Sequence, residues 1–161
     1  MATVFERDDQ VFEREALRDN PVALLRAAQA QFGEKLAVLS SFGAESALLL
    51  AMVAEADPAM RVLFLNTGRH FPETIAYRRD LAAFLGLTNV VDIDPDPARV
   101  AQNDPTGALW AFAPDACCAL RKVEPLRLAS LGYEAMVTGR KRGQASTRSQ
   151  MDVVERREDG Q

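Results

Sequence analysis

Residues 36–46, LAVLSSFGAES, decide how the rest of the chain is read. Leu36 to Ser41 form a short apolar run rich in strand formers, the pattern of a strand buried on both faces. The residues that follow change character: Ser41, Phe42, Gly43, Ala44, Glu45 and Ser46 make a turn, and AESALLLAMVAEA (44–56) then has the length and apolar content of a helix. A strand ending in Ser40 and Ser41, with a glycine before a helix start, offers hydroxyls and free N–H groups to a phosphate or sulfate. The stretch lacks the G-x-x-x-x-G-K-[ST] pattern, which disfavours Walker-type NTP hydrolysis. Plain turn chemistry at a strand–helix junction is the other reading of the same residues.

The pattern repeats outward from this stretch. DNPVALLRAAQAQFG (19–33) reads as a helix with Asn20 as N-cap, Pro21 in its first turn and Gly33 as its stop. RVLFLN (61–66) is a second buried strand, and a helix runs from Pro72 to near Gly86. NVVDID (89–94) is a third strand, followed by DPDPARVAQNDPTG as a long loop or a short broken helix. A helix around the two cysteines takes Asp115 as its cap and is kinked or restarted by Pro125, which cannot donate to the turn before it. EAMVTG (134–139) is a fourth strand and MDVVER (151–156) a fifth. Strands alternating with helices of roughly 10–15 residues predict an α/β fold: a parallel twisted sheet with helices on both faces.

The chain has 161 residues, 48% hydrophobic and 26% charged, the size and balance of one globular domain. Residues 1–19 are a charged lead-in with little pattern. No apolar run approaches the roughly 18 residues of a membrane span, and the N-terminus has no signal-peptide core, so no membrane is expected. Two cysteines make no disulfide scaffold and point to the cytoplasm. The net charge of −4 gives no reason to expect nucleic acid as a partner. GRKRGQASTRSQ (139–150) nonetheless carries Arg140, Lys141, Arg142 and Arg148 without an acid, which reads as a local anion site or as a solvated loop. The last residues, REDGQ (157–161), put an Asp-Gly turn signal after a strand-like run, so a hairpin without its second strand implies a sequence incomplete at its C-terminus.

Ligands of such sheets bind beyond the carboxyl ends of the strands. There FLNTGRHFPET (64–74) offers Leu65 as an apolar edge, with Thr67 and Gly68 letting a flat base approach the backbone. His70, the only histidine, fits acid–base chemistry or a structural, solvent-facing place. Gly139 ends the fourth strand and leads into the basic loop, where an arginine's planar fork suits phosphate or sulfate. In DACCALRK (115–122), Cys117 and Cys118 point about 100° apart on a helix and cannot share one face. A vicinal disulfide, two inert thiols, or two ligands of one cluster near Lys122 all remain open at this point; a 4Fe–4S cluster needs four thiolates.

Taken together, SSFGAES, FLNTGRHFPET, DACCALRKVEPL and GRKRGQASTRSQ resemble, in order and spacing, the assimilatory adenylyl-sulfate (APS) reductases within the wider phosphoadenylyl-sulfate (PAPS) reductase family, from about Leu36 to Gln150. The resemblance implies an adenine-nucleotide α-hydrolase-like (PP-loop) domain spanning 1–161. It implies reduction of adenylyl sulfate to sulfite and AMP, with thioredoxin as donor, in sulfate assimilation toward cysteine. By the same resemblance Ser40, Ser41, Phe42, Gly43, Ala44, Glu45 and Ser46 form the loop that cradles the phosphosulfate. Leu65 and Gly139 receive the adenosine through their backbone, with Thr67 and Gly68 alongside. Arg148 grips the phosphosulfate, and Arg140 stands in the same loop. Cys117 and Cys118 match two ligands of a 4Fe–4S cluster, and Lys122 matches the lysine between cluster and substrate.

Two departures qualify this. The family reads Leu-Asp-Thr-Gly where this chain has Leu65, Asn66, Thr67, Gly68, so a charge is lost. Family members also continue beyond this length, with a C-x-x-C pair that completes the cluster and a Glu-Cys-Gly segment. The cysteine of that segment attacks the sulfur of adenylyl sulfate to form an S-sulfocysteine, which thioredoxin releases as sulfite. The expectation is therefore an incomplete chain, inactive alone and holding at most a labile cluster. Two chains pooling two thiols each, an iron-dependent homo-oligomer, would supply the four. Other readings of the sequence are an ATP pyrophosphatase-type adenylating enzyme and a non-catalytic sulfonucleotide-binding module. The former's Ser-Gly-Gly-x-Asp-Ser loop fits less well, because Phe42 and Ala44 add bulk.

Overall fold

The computed structural model describes residues 4–5, 19–141, 143, 146 and 149–155. The chain enters through β1 (Val4–Phe5) and α1 (Pro21–Phe32), where the Asn20 side chain accepts the Ala23 N–H and Pro21 opens the first turn. Then come β2 (Leu36–Ser40), α2 (Ser46–Ala56), β3 (Val62–Leu65), α3 (Pro72–Leu85) and β4 (Val90–Ile93). Two short helices, α4 (Pro97–Asn103) and α5 (Leu109–Phe112), precede α6 (Pro114–Cys118), a π-helical turn at Ala119–Val123, and α7 (Glu124–Ser130). The described chain closes with β5 (Ala135–Thr138) and β6 (Val154–Glu155).

Four strands form one parallel sheet in the order β4-β3-β2-β5, as the alternating pattern requires. The register pairs Val38 with Val62 on one side of β2 and with Val137 on the other. On one face Leu36, Val38, Val62, Phe64, Ala135 and Val137 join Leu24, Leu25 and Ala28 of α1 and Leu49, Leu50 and Val53 of α2 in the main core. The alternate residues Ala37 and Leu63 are fully buried outside that cluster, where Leu120 and Cys117 are buried too; α7 lies alongside β4. Both faces are thus covered, which is why the inner strands are apolar runs and do not alternate. Edge strand β4 is more exposed and carries Asp92, a charge that discourages further pairing.

Two details differ from the sequence pattern. The fifth strand forms, but β6 pairs with β1 in a separate two-stranded parallel sheet, Val4 opposite Val154. The lead-in that looked patternless therefore supplies a strand, a partner too distant in sequence for local periodicity to reveal. Asp115 is not the cap of the cysteine helix: Pro114, with its fixed φ, opens the first turn, and Asp115 lies inside it. Pro125, in the first turn of α7, restarts the helix as the sequence led one to expect. Its ring would crowd the carbonyl of Arg121 in a regular α-helix, and the π-helical turn just before it widens the ladder so that α7 continues from Glu124. The Asp-Gly turn at 159–160 lies outside the described residues. Among the described residues no helix is long and apolar enough to cross a membrane.

Candidate nucleotide site

Strand order places the site. From β2 the chain moves outward through β3 to β4, then returns to place β5 on the other side of β2. Beyond the carboxyl ends of β2 and β5 lies the topological switch point where open α/β sheets bind ligands. The loops after β3, β2 and β5 all open onto this edge, so three of the four sequence motifs converge there.

The loop after β2 is held mostly by its own residues. Ser40 is buried and its Oγ accepts the Phe42 N–H at 3.1 Å; the Gly43 N–H reaches Ser41 Oγ at 3.4 Å. Ser41 Oγ and Ser46 Oγ lie 3.3 Å apart at the start of α2, and the Ser46 N–H donates to the Gly43 carbonyl at 2.8 Å. Phe42 adopts φ +52°, a left-handed conformation that a bulky side chain rarely takes. Its ring compensates: it is 1% exposed and meets Phe64 edge-on, with centroids 5.7 Å apart. Arg78 lies near both rings and forms an ion pair with Asp92. Ser41, Gly43, Ala44 and Glu45 stay exposed, leaving a small hydroxyl-bearing rim above a buried aromatic anchor.

The loop after β3 is tied from outside. His70 Nε2 and the Leu65 carbonyl are 2.9 Å apart, so the ring donates from Nε2, and it stacks at 4.9 Å on Phe64. Of its two sequence readings, the structural one fits this geometry. Asn66 donates to Asp94 Oδ1 at 2.9 Å while its own Oδ1 accepts the Gly68 N–H at 3.3 Å. An aspartate at 66 would face Asp94 as a like charge, which explains how the amide suits this chain. Thr67 is buried, with its Oγ1 accepting the Arg69 N–H and its carbonyl accepting Arg121 Nη1 at 3.0 Å.

At the end of β5, Arg140 Nε donates to Thr138 Oγ1 at 3.2 Å, and its Nη2 lies 3.6 Å from Glu155. Gly139 packs closely enough that an added Cβ would come within 3.3 Å of the Leu49 side chain. Lys141 Nζ is 3.2 Å from Glu45, an ion pair that bridges the switch point between the β5 and β2 loops. Arg148 and Arg142 lie outside the described residues.

The cysteine turn divides by side. Cys117 is buried and Cys118 exposed, both as free thiols, which matches the helical angle between them and leaves no vicinal disulfide. Lys122 is exposed, whereas Arg121 beside it turns inward with a side chain 7% exposed. Arg121 Nη2 donates to Asp104 at 2.8 Å, and the Asp104 carboxylate also accepts the Leu109 N–H at 3.0 Å. The Arg121 hydrogen bond, with the Leu109 N–H and the charges of Arg121 and Arg69, holds the Asp104 carboxyl below its ordinary range against the opposing effect of burial. Sequence reasoning passed over Asp104, Arg121 and Arg69. Among the described residues no three His, Cys, Asp or Glu side chains gather as a metal site.

A parallel sheet with a serine- and glycine-bearing loop at its switch point defines a nucleotide-binding α/β domain of the PP-loop type. Residues 35–161 match the family described as phosphoadenosine phosphosulfate reductase domain. The chain is 51% identical over 130 residues to the adenosine 5'-phosphosulfate reductase of Mesorhizobium japonicum, covering 81% of this chain and 51% of that protein. It is 44% identical to the phosphoadenosine 5'-phosphosulfate reductase of Gloeobacter violaceus, over 84% of this chain and 56% of that one. The crystal structure of the phosphoadenylyl-sulfate reductase of Candida auris in a phosphate complex superposes with a TM-score of 0.62 at 26% identity, covering 84% of this chain and 70% of that one. The chain belongs to the phosphoadenosine phosphosulfate reductase family. It spans about half the length of the curated relatives it matches.

Proposed function

We propose that this chain is the nucleotide-binding core of an assimilatory, cytoplasmic adenylyl-sulfate reductase. The observation that carries the reading is the meeting of the β2, β3 and β5 loops at one switch point, each bearing a motif of that family. In the reaction a cysteine thiolate attacks the sulfur of adenylyl sulfate, the S–O bond to phosphate breaks and AMP leaves. Two electrons from a dithiol donor, thioredoxin, then release sulfite and leave the donor as its disulfide.

This chain's residues serve binding and orientation. Ser41, Gly43 and Ser46 offer hydroxyls and the N-terminus of α2 to the phosphosulfate, and Ser40 and Phe42 shape that loop from below. Leu65, Thr67, Gly68 and Gly139 present backbone to the adenosine. Arg140, Arg148 and Lys122 supply positive charge to the transferred group and to the phosphate that leaves.

In the adenylyl-sulfate reductase branch that this chain resembles, a 4Fe–4S cluster would supply electrostatic support near the substrate. Cys117 and Cys118, free thiols in successive positions at the end of α6 and just before the widened turn, are suited to two of its ligands. They are half the set that such a cluster needs, so no step is assigned through it. Neither cysteine is left over as nucleophile.

Calorimetric titration of the 161-residue chain with AMP and with adenylyl sulfate tests this reading. Both are expected to bind, in competition, and no sulfite is expected when thioredoxin is added. Absence of binding by either nucleotide would overturn it. ATP-dependent pyrophosphate release would favour an adenylating enzyme instead.

A further inference from the structure

Asp104 sits between α4 and α5, outside every motif used above, yet its side chain is 1% exposed. Its Oδ2 accepts Arg121 Nη2 at 2.8 Å and lies 3.5 Å from Arg69 Nη2, while its Oδ1 accepts the Leu109 N–H. The other terminal nitrogen of Arg121 donates to the Thr67 carbonyl. One buried carboxylate therefore holds the cysteine turn, through Arg121, and the Thr67–Gly68–Arg69 loop, through Arg69. Arg121 closes the triangle by gripping that loop directly.

Two glycines fit the same arrangement. Gly68 has φ +67°, and an added Cβ would lie 3.4 Å from Arg121 Nη1. Gly107 has φ +70°, and a Cβ there would come within 2.2 Å of Arg69 Nη2, so no side chain fits without displacing that guanidinium. Both turns are thus shaped around an arginine of the cluster. Burying two guanidiniums' partner so completely is expensive unless the geometry is well satisfied, and here both carboxylate oxygens are engaged.

We infer that Asp104, Arg121, Arg69 and Gly107 are positioning residues that clamp the Thr67–Gly68 loop in its nucleotide-ready conformation and tie it to the cysteine turn. The inference rests on the nucleotide-binding reading above for its functional half. Its structural half, that the clamp orders this loop and not the whole fold, stands independently. Arg121 also places its neighbour: with its guanidinium fixed inward, Lys122 one residue later is held on the exposed side of the same turn.

The test uses the 161-residue chain as wild type, Asp104→Asn, Gly107→Ala, Arg121→Lys and, as a control, Arg99→Gln, which breaks only the exposed Arg99–Glu124 pair. Two quantities are read: the Kd for AMP, and amide hydrogen exchange at residues 67–70 without ligand. Asp104→Asn and Gly107→Ala should weaken AMP by about tenfold or more, because a loop misplaced by an ångström loses aligned contacts. Arg121→Lys keeps the charge but loses the planar fork whose two terminal nitrogens reach Thr67 and Asp104 separately, and should fall between them and wild type. Exchange at 67–70 should quicken in the same order, with the amides of β2 and β3 unchanged. Arg99→Gln should match wild type in both.

Unchanged exchange at 67–70 in Asp104→Asn and Gly107→Ala would overturn the clamp. So would equal acceleration across β2 and β3, the mark of a merely structural role. Failure of the wild type to bind AMP would sink the nucleotide reading and leave the clamp to be judged by exchange alone. Should Asp104→Asn not fold, Gly107→Ala, which displaces Arg69 and strains its own turn while leaving the Asp104 carboxylate in place, carries the same decision.

Discussion

The loops after β2 and β3 sit side by side on one sheet edge but are built by opposite means. The β2 loop takes its hydrogen bonds from residues within a few positions: Ser40 to Phe42, Ser41 to Gly43, Ser41 to Ser46. The β3 loop takes its decisive bonds from far along the chain, Arg121 to Thr67 across 54 positions and Arg69 to Asp104 across 35. A self-contained loop carries its geometry wherever the strand–helix junction is intact. A loop tied from outside reports on the elements that tie it. In the candidate site the β2 loop is held by its own residues and the β3 loop by other parts of the protein.

The largest effect should come from breaking the anchor of the self-contained loop. Phe42 is buried against Phe64 while its backbone is held at φ +52°. Phe42→Ala removes the ring and keeps the disfavoured backbone, so urea unfolding should show a loss of about 3–5 kcal/mol. A loss below about 1 kcal/mol would mean that the ring does not hold the loop. Next in size is Ser40→Ala. The buried hydroxyl is the acceptor of the Phe42 N–H, and leaving that donor unsatisfied should cost about 1–3 kcal/mol in the same experiment.

The contrast also explains what the sequence disclosed. The apolar runs 36–41 and 61–66 and the serine–glycine turn between Ser40 and Ser46 are local signals, and the structure keeps them nearly to the residue. The convergence of three motifs follows from strand order, which alternation of strands and helices makes accessible. Asp104 left no such signal: in NDPTG it reads as an ordinary turn aspartate, and its partners lie in two other segments. Nothing in DACCALRK sets Arg121 apart from its neighbour Lys122, yet on the widened turn before Pro125 the first is buried and the second exposed. The pairing of β6 with β1 escaped for the same reason, since Val4–Phe5 has no pattern of its own.

The tied loop should betray itself in acid. The carboxyl of Asp104 titrates below its unfolded value because Arg121 and the Leu109 N–H favour the ionised form. Between the two values the unfolded chain binds the extra proton, so stability rises with pH there. The contribution is complete above the unfolded carboxylate value of about 4 and is lost as pH falls through the folded one. Thermal unfolding of wild type should therefore lose ground to Asp104→Asn below about pH 4, their difference narrowing as pH falls. A difference that stays constant down to pH 2 would mean that Asp104 does not titrate within the clamp.

The smallest effect on stability, and the sharpest on the contrast, belongs to the Glu45–Lys141 pair, which joins the β2 and β5 loops at the switch point. Both side chains are well exposed, 67% and 45%, so Glu45→Gln should change unfolding free energy by no more than about 0.5 kcal/mol. Its effect on binding is a separate matter. In the proposed phosphosulfate cradle a carboxylate on the rim would repel the anion and compete for the ammonium of Lys141. Glu45→Gln should therefore tighten AMP severalfold at low ionic strength, with the gain shrinking as salt screens the rim. Calorimetry at two salt concentrations reads both. Weaker binding in the variant would instead make Glu45 a contact of the nucleotide, and the β2 loop would then be completed by its ligand as the β3 loop is by Arg121.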